Sequence, residues 1–419
     1  MLSFLKKLGR TDRAIMYTCY FAFFCSGSCT LMLGSAMPDL KLAYSLSDTL
    51  GGLLLSGQSA GNLVAGFISG IVPLYLGRRR SVVLLSALMF LGVLMMVLWG
   101  NPIWLLLSFV LVGLGRGACT NFSSYETNML ADGSSTATNL LHASFAVGAL
   151  TAPMVFLLLR GLLGWKAGLV YVVLIGCVSL TNLSRMQVQD DHPDRRDKSQ
   201  STLCFLKNPS YMILALMMFC YLCSEYAING WLVTYLQNKE NFVASFGMTG
   251  ETLEAAILSY SQSMATLLWA VMLVGRLFCA WLFGKVPIKT TMLAASVGVA
   301  VFFALMLLSD SVGMVTFAIA GLGFSMAGIC PMIYSDACVF TNTYPMATSM
   351  LLAIGSTGAI AMPAIVGALA DAFGFSGGMS AILVAIVLLV ACSLLNVVVK
   401  TRLPKASQTA APQERLSPQ

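Results

Sequence analysis

The sequence predicts an all-α polytopic membrane protein, with twelve transmembrane helices in two pseudo-symmetric six-helix bundles. Three observations carry that prediction. Of 419 residues, 58% are apolar and 10% charged, and the mean hydropathy is +0.83. A soluble domain holds roughly 45–50% apolar and about 25% charged residues, so a soluble enzyme is excluded. Apolar runs of about 20 residues, the length that crosses a hydrocarbon layer of about 30 Å, recur along the whole chain. Motifs in the first half of these runs return in the second half at nearly constant spacing.

Charges and Gly, Pro or Asn clusters delimit the runs. The first, 15–36, follows Lys6, Lys7, Arg10 and Arg13 and is too long and too polar-flanked for a cleaved signal sequence. Spans 51–74 and 81–99 flank Gly77-Arg78-Arg79-Arg80, and 103–129 opens after Asn101-Pro102. Spans 139–163 and 166–184 are separated by Gly164-Trp165, and 210–236 begins after Asn208-Pro209. The remaining five are 256–282, 290–308, 312–336, 346–370 and 378–398. The expected divisions are an N-terminal bundle at 1–184, a cytoplasmic linker at 185–209, a C-terminal bundle at 210–400 and a disordered cytoplasmic tail at 401–419.

An even number of spans puts both termini on one side, and Lys and Arg choose the side. The net charge of +7 comes from 24 Lys+Arg against 17 Asp+Glu. Four of those cations, Lys41, Arg160, Lys166 and Lys239, fall opposite the termini, two, Arg116 and Arg276, fall inside spans, and the other eighteen lie on the side of the termini. By the positive-inside rule both termini are cytoplasmic. The positive charge is thus topological and implies no nucleic-acid partner.

The repeat has three marks. Gly-Leu-Gly at 113–115 returns at 321–323, offset 208; Gly148-Ala-Leu-Thr-Ala-Pro153 returns as Gly358-Ala-Ile-Ala-Met-Pro363, offset 210; Gly77 has a counterpart in Gly284, offset 207. A duplicated bundle with a central loop is the architecture of alternating-access transporters, whose halves rock about a midplane site. A channel would show a charged ring or filter loop, and an enzyme a metal or nucleophile constellation. With two histidines, no His/Cys ligand spacing and no G-x-x-x-x-G-K motif, the sequence implies no metal, no cofactor and no ATP-driven pump.

The loop Gly70-Ile-Val-Pro-Leu-Tyr-Leu-Gly77-Arg78-Arg79-Arg80 resembles the G-x-x-x-D-R-x-G-R-R motif of the major facilitator superfamily. Leu74 and Tyr75 replace its Asp and Arg, which leaves the Gly turn and three arginines of the family's charge relay. Within that superfamily, three stretches resemble the fucose/glucose/galactose proton symporter branch. They are Asn139 to Pro153, Ser224-Glu225-Tyr-Ala-Ile-Asn-Gly230-Trp231 to Tyr235, and Trp269 to Leu277 around Gly275-Arg276. The branch generally carries an acid in its first span and another in its fourth. Here the first span has no carboxylate between Asp12 and Asp39, and Arg116 and Gly117 stand where the fourth-span acid would be.

An ionisable residue inside a span costs roughly 2.5–3.5 kcal/mol on insertion scales, so each demands a role. Glu225, just past the midplane of the seventh span, is the expected proton carrier, with a bond to a neighbouring helix as the structural alternative. Arg116, near the midplane of the fourth, suits a carboxylate or phosphate through its planar donor fork, with flanking glycines expected to clear space toward a cavity; an internal ion pair with Glu225 or Glu126 is the alternative. His142 and Glu126 are expected to pair near the cytoplasmic end and handle protons. Arg276, Asp336, Gly77, Arg78, Arg79 and Arg80 are expected to hold or gate helix ends. Gln58, Asn62, Asn121, Tyr226, Asn229, Gln262 and Trp269 form an amide and aromatic lining suited to a hydroxylated solute.

The sequence therefore predicts a transporter, not an enzyme, that moves a sugar, sugar acid or other organic anion by proton-coupled symport. Proton antiport of amphipathic compounds is the competing prediction. Its expected partners are the solute, a proton or other coupling ion and the lipid bilayer; the expected state is a monomer in a bacterial inner membrane.

Overall fold

The computed structural model describes residues 8–131, 135–186, 203–282, 285–341 and 347–399. Gly284, His192, most of the 185–209 linker and the 401–419 tail lie outside the described residues. The long helices in chain order are α1 (Arg10–Tyr44), α2 (Asp48–Ile71), α3 (Arg78–Leu98), α4 (Pro102–Leu130), α5 (Ser135–Leu163) and α6 (Lys166–Arg185). After them come α7 (Pro209–Asn238), α8 (Gly250–Leu282), α9 (Ile288–Leu308), α10 (Val312–Met326), α11 (Ile329–Thr341) and α12 (Ala347–Val398).

The polar punctuation that bounds the apolar runs does so by capping. Asn101 Oδ1 accepts from Ile103 N at 2.9 Å, Asn208 Oδ1 from Ser210 N at 3.0 Å and Ser47 Oγ from Leu50 N at 3.2 Å. Pro102 and Pro209 follow two of these caps, at a position where a missing N–H costs nothing. Gly77 turns the chain between the short helix Pro73–Leu76 and α3 at φ 75° and ψ 159°, a backbone that a Cβ disfavours.

Hydropathy understates the helices. The first apolar run was bounded at 15–36, yet α1 continues through Pro38, Asp39 and Lys41 until Ser45 takes a left-handed conformation at φ 51°. Backbone hydrogen bonding does not stop at the first polar side chain, so Asp39 belongs to the first helix. The expected tenth span is interrupted: α10 and α11 are separated at Ala327-Gly328, where Ala327 N reaches Phe324 O at 3.4 Å. Among the described residues eleven helices are long and apolar enough to cross a membrane. The last of these, α12, contains Gly374 at φ 74° and ψ 170° and reverses there. Gly378 consequently lies against the Val366 carbonyl, twelve residues back, a span that a straight helix would stretch over about 18 Å.

Two groups of helices result. In the first, α2 packs on α4, α1 on α5, and α3 on α4 and α6; in the second, α7 packs on α12, α8 on α10, and α9 on α10 and α12. Glycines set the closest approaches. Gly148 of α5 meets the Phe24 carbonyl of α1, and Gly358 of α12 meets the Phe219 carbonyl of α7. Gly113 of α4 meets the Gln58 carbonyl of α2, and Gly323 of α10 meets the Leu268 carbonyl of α8. Both correspondences have offset 210, so the packing equivalent of Gly113 is Gly323, and the Gly-Leu-Gly match at offset 208 is two residues out of structural register.

The groups meet through α12 on α2, α8 on α5 and α7 on α1. These contacts gather toward the face where α1 ends. There Gly34 lies on the Asn229 carbonyl, Gly52 on the Pro363 carbonyl, and Gly367 on the Asp48 carbonyl.

Candidate functional site

Arg116 projects from the middle of α4 and is 6% exposed. Its Nη1 donates to Thr30 Oγ1 of α1 at 3.3 Å and its Nη2 to Tyr226 Oη of α7 at 3.2 Å, so one guanidinium ties the two helix groups together. The Tyr226 ring lies 5.8 Å from the guanidinium carbon. The remaining side-chain nitrogen, Nε, is buried and has no hydrogen-bond partner among the described residues. Among the described residues no carboxylate comes within 4 Å of Arg116. The expected ion pair with Glu225 or Glu126 is therefore not formed, and Glu126 lies 3.5 Å from Arg78 instead.

The glycines beside Arg116 do not clear a cavity as the sequence suggested. Gly113 and Gly117 meet backbone of Gln58 and Asn62 on α2, and Gly115 meets backbone of Met89 on α3. They bring three helices together and thereby fix the arginine's height.

Glu225 precedes Tyr226 on α7 and is half-buried, within electrostatic reach of both Arg276 and Arg116. One turn above, Asn229 Oδ1 accepts from Trp269 Nε1 of α8 at 3.0 Å. Trp269 is flanked by Phe145 of α5 at 5.7 Å and by the Arg276 guanidinium at 6.0 Å, while Arg276 Nη2 contacts Met272 Sδ at 3.8 Å. Gln262, fully buried on α8, donates to the Ser35 carbonyl of α1 at 3.0 Å, and its Oε1 has no partner among the described residues. Arg116, Tyr226, Glu225, Asn229, Trp269 and Arg276 thus form a connected constellation between the groups, with Gln262 sealing it toward the face where α1 ends.

Other predicted residues sit apart from it. Gln58 is buried on α2 against α4, and Asn121 donates to Ser69 Oγ at 3.0 Å on an exposed stretch. His142 sets its ring edge on Phe23 with centroids 5.7 Å apart, while the carboxylate of Glu126 lies by Arg78. Arg78 stacks over Tyr125 at 4.2 Å, Arg79 donates to the Ser184 carbonyl, Arg80 is exposed, and Asp336 Oδ2 accepts from Asn396 at 2.8 Å. These contacts stay within one helix group each.

The sequence reading missed Thr30 and a charged layer at the face where α1 ends. Arg160 of α5 binds Asp39 of α1 through Nε at 2.9 and 3.0 Å and Nη2 at 2.8 Å. Asp371 of α12 accepts from the first two amides of α2, Asp48 N at 2.8 Å and Thr49 N at 2.7 Å, and so caps a helix of the other group. Lys41 pairs with Asp48 and lies 4.8 Å from the Phe375 ring. Asp39, Lys41, Arg160, Gln237, Glu251 and Glu254 line an opening of about 800 Å³ between the groups. The signal was present: Lys41, Arg160 and Lys239, three of the four cations on that side, each have an acid partner, here Asp48, Asp39 and Asp310.

A family model described as "Major Facilitator Superfamily" matches residues 19–340. The membrane protein MosC of Rhizobium meliloti is 25% identical over 376 residues, covering 89% of this chain and 88% of that protein. The nucleoside transporter NupG has the same fold, with a TM-score of 0.72 at 13% identity over 93% of this chain and 99% of that one. A bacterial homologue of the human lysosomal transporter Spinster, in an inward-facing and occupied conformation, gives a TM-score of 0.69 at 16% identity, covering 93% and 97%.

Proposed function

The chain belongs to the Major Facilitator Superfamily, and from that premise we propose that it takes up a small polar solute by alternating access coupled to protons. In this reading residues 1–184 and 210–400 are six-helix bundles that rock about the Arg116 constellation. Gly374 is the turn between an eleventh and a twelfth span, both termini are cytoplasmic, and the protein works as a monomer in a bacterial inner membrane.

The observation that carries the reading is the part-buried contact from Arg116 to Tyr226, which joins the two groups beside the only carboxylate in the constellation, Glu225. A guanidinium held by neutral hydroxyls from both groups reports their separation and offers donors to a solute. Glu225, next in sequence to Tyr226, can take and release a proton as the groups move. Asn229 and Trp269 supply the amide and ring that suit a hydroxylated solute. Arg276 and Asp336 hold helix positions, and Gly77 with Arg78, Arg79 and Arg80 braces the ends of α3, α4 and α6.

The test is transport in proteoliposomes by Glu225→Gln. The variant is expected to exchange solute across the membrane in counterflow while losing accumulation driven by a pH gradient. Accumulation equal to the parent protein would remove the proton role.

A further inference from the structure

Resting on the transport reading above, we infer that the solute carries a carboxylate and that Arg116 binds it. A guanidinium has five N–H donors. Two here reach neutral oxygens, at 3.2 and 3.3 Å, distances longer than those of charge-assisted bonds to carboxylates. Among the described residues the other three donors meet no acceptor, and the one on Nε is fully buried. A buried charge without an anion is strongly disfavoured, and proteins ordinarily pair it. Among the described residues no acidic side chain meets Arg116, although Glu225 is nearby. The pairing left open by the fold is the one the solute completes.

The shape of the open donor edge suits a carboxylate. Two cations, Arg116 and Arg276, lie within electrostatic reach of Glu225. The planar edge formed by Nε and the adjacent Nη matches the two oxygens of a carboxylate. Tyr226, already on Nη2, is three residues from Asn229 on α7, and the Asn229–Trp269 pair supplies an amide and a ring that suit hydroxyls on the remainder of the solute.

The experiment compares matched acid and neutral pairs on the purified full chain: galacturonate with galactose, gluconate with glucose, and lactate with propane-1,2-diol. Thermal unfolding reads binding to the native state. At least one acid is expected to raise Tm where its neutral partner does not. Arg116→Gln should weaken that apparent affinity at least tenfold, and Arg116→Lys should retain a part of it. Intrinsic tryptophan fluorescence, to which Trp269 contributes, measured below the unfolding range, supplies a second readout should a variant have a lowered Tm. If no acid shifts either signal beyond its neutral partner, or if Arg116→Gln binds the acid as the parent does, the inference is overturned. Neutral sugars that bind and exchange through proteoliposomes equally in both proteins overturn it while leaving transport intact. A carboxylate that binds through Arg116 but shows no counterflow leaves the inference standing and removes the transport reading.

Discussion

Thr30 and Tyr226 are ordinary residues made consequential by one neighbour. Each gives Arg116 an oxygen that no other described side chain supplies. Thr30→Val and Tyr226→Phe each leave a further buried donor unmet, and the expected cost is about 1–3 kcal/mol of stability. Thermal unfolding should show both losses, and a bound carboxylate should narrow the gap to the parent protein by satisfying the same guanidinium. A gap that stays constant with ligand would place the hydroxyls outside the binding event. At this scale the sequence was informative about which residues were costly, because Arg116, Glu225 and Arg276 stand out among apolar neighbours. It was less informative about partners. His142 was matched with Glu126 on proximity along the chain, but the imidazole packs on Phe23 and the carboxylate lies by Arg78.

At the scale of elements, small residues decide where helices touch. A Cβ on Gly148 or Gly358 would overlap the Phe24 or Phe219 carbonyl, while Gly66 and Gly161 have nothing within 4 Å. Gly148→Leu and Gly358→Leu are expected to lower stability by about 1–3 kcal/mol through overpacking. Gly161→Ala should leave Tm unchanged or slightly raised, since alanine suits a helix better than glycine. Monodispersity and Tm of the three variants check this. Equal behaviour of all three would contradict the packing register at offset 210. The same scale explains why repeat marks in the sequence were only approximately right. Gly-Leu-Gly aligned with Gly-Leu-Gly by letters, whereas the backbone contact pairs Gly113 with Gly323. The break at Ala327-Gly328 carries no polar residue, so hydropathy passed over it.

For the whole molecule, the contacts that join the two helix groups gather where α1 ends, and Asp371 capping α2 is among them. Helix-forming runs and the twofold repeat were legible because they depend on local composition and spacing. The charged layer was legible only as cations on one side and not as pairs, since Asp39 meets Arg160 across 121 residues and Asp371 meets Asp48 across 323, and one sequence holds no record of such pairings. Alternating access requires this layer to part. Asp371→Asn weakens the cap by on the order of 1 kcal/mol and should shift the balance about fivefold toward opening on that face. Faster labelling of a cysteine placed at Gln237, in the opening between the groups, would record the shift. Unchanged labelling would show that the cap does not hold the groups together.

The most direct measurement ties the same two elements covalently. Thr49→Cys with Asp371→Cys, in a background where exposed Cys177 and Cys338 are serine, places a disulfide across the groups. Counterflow of the solute identified by thermal unfolding is then followed in proteoliposomes before and after reduction. The account predicts that the oxidised protein still binds solute but does not exchange it, and that reduction restores exchange. Exchange at the parental rate with the disulfide intact would contradict a mechanism in which the two groups separate on this face.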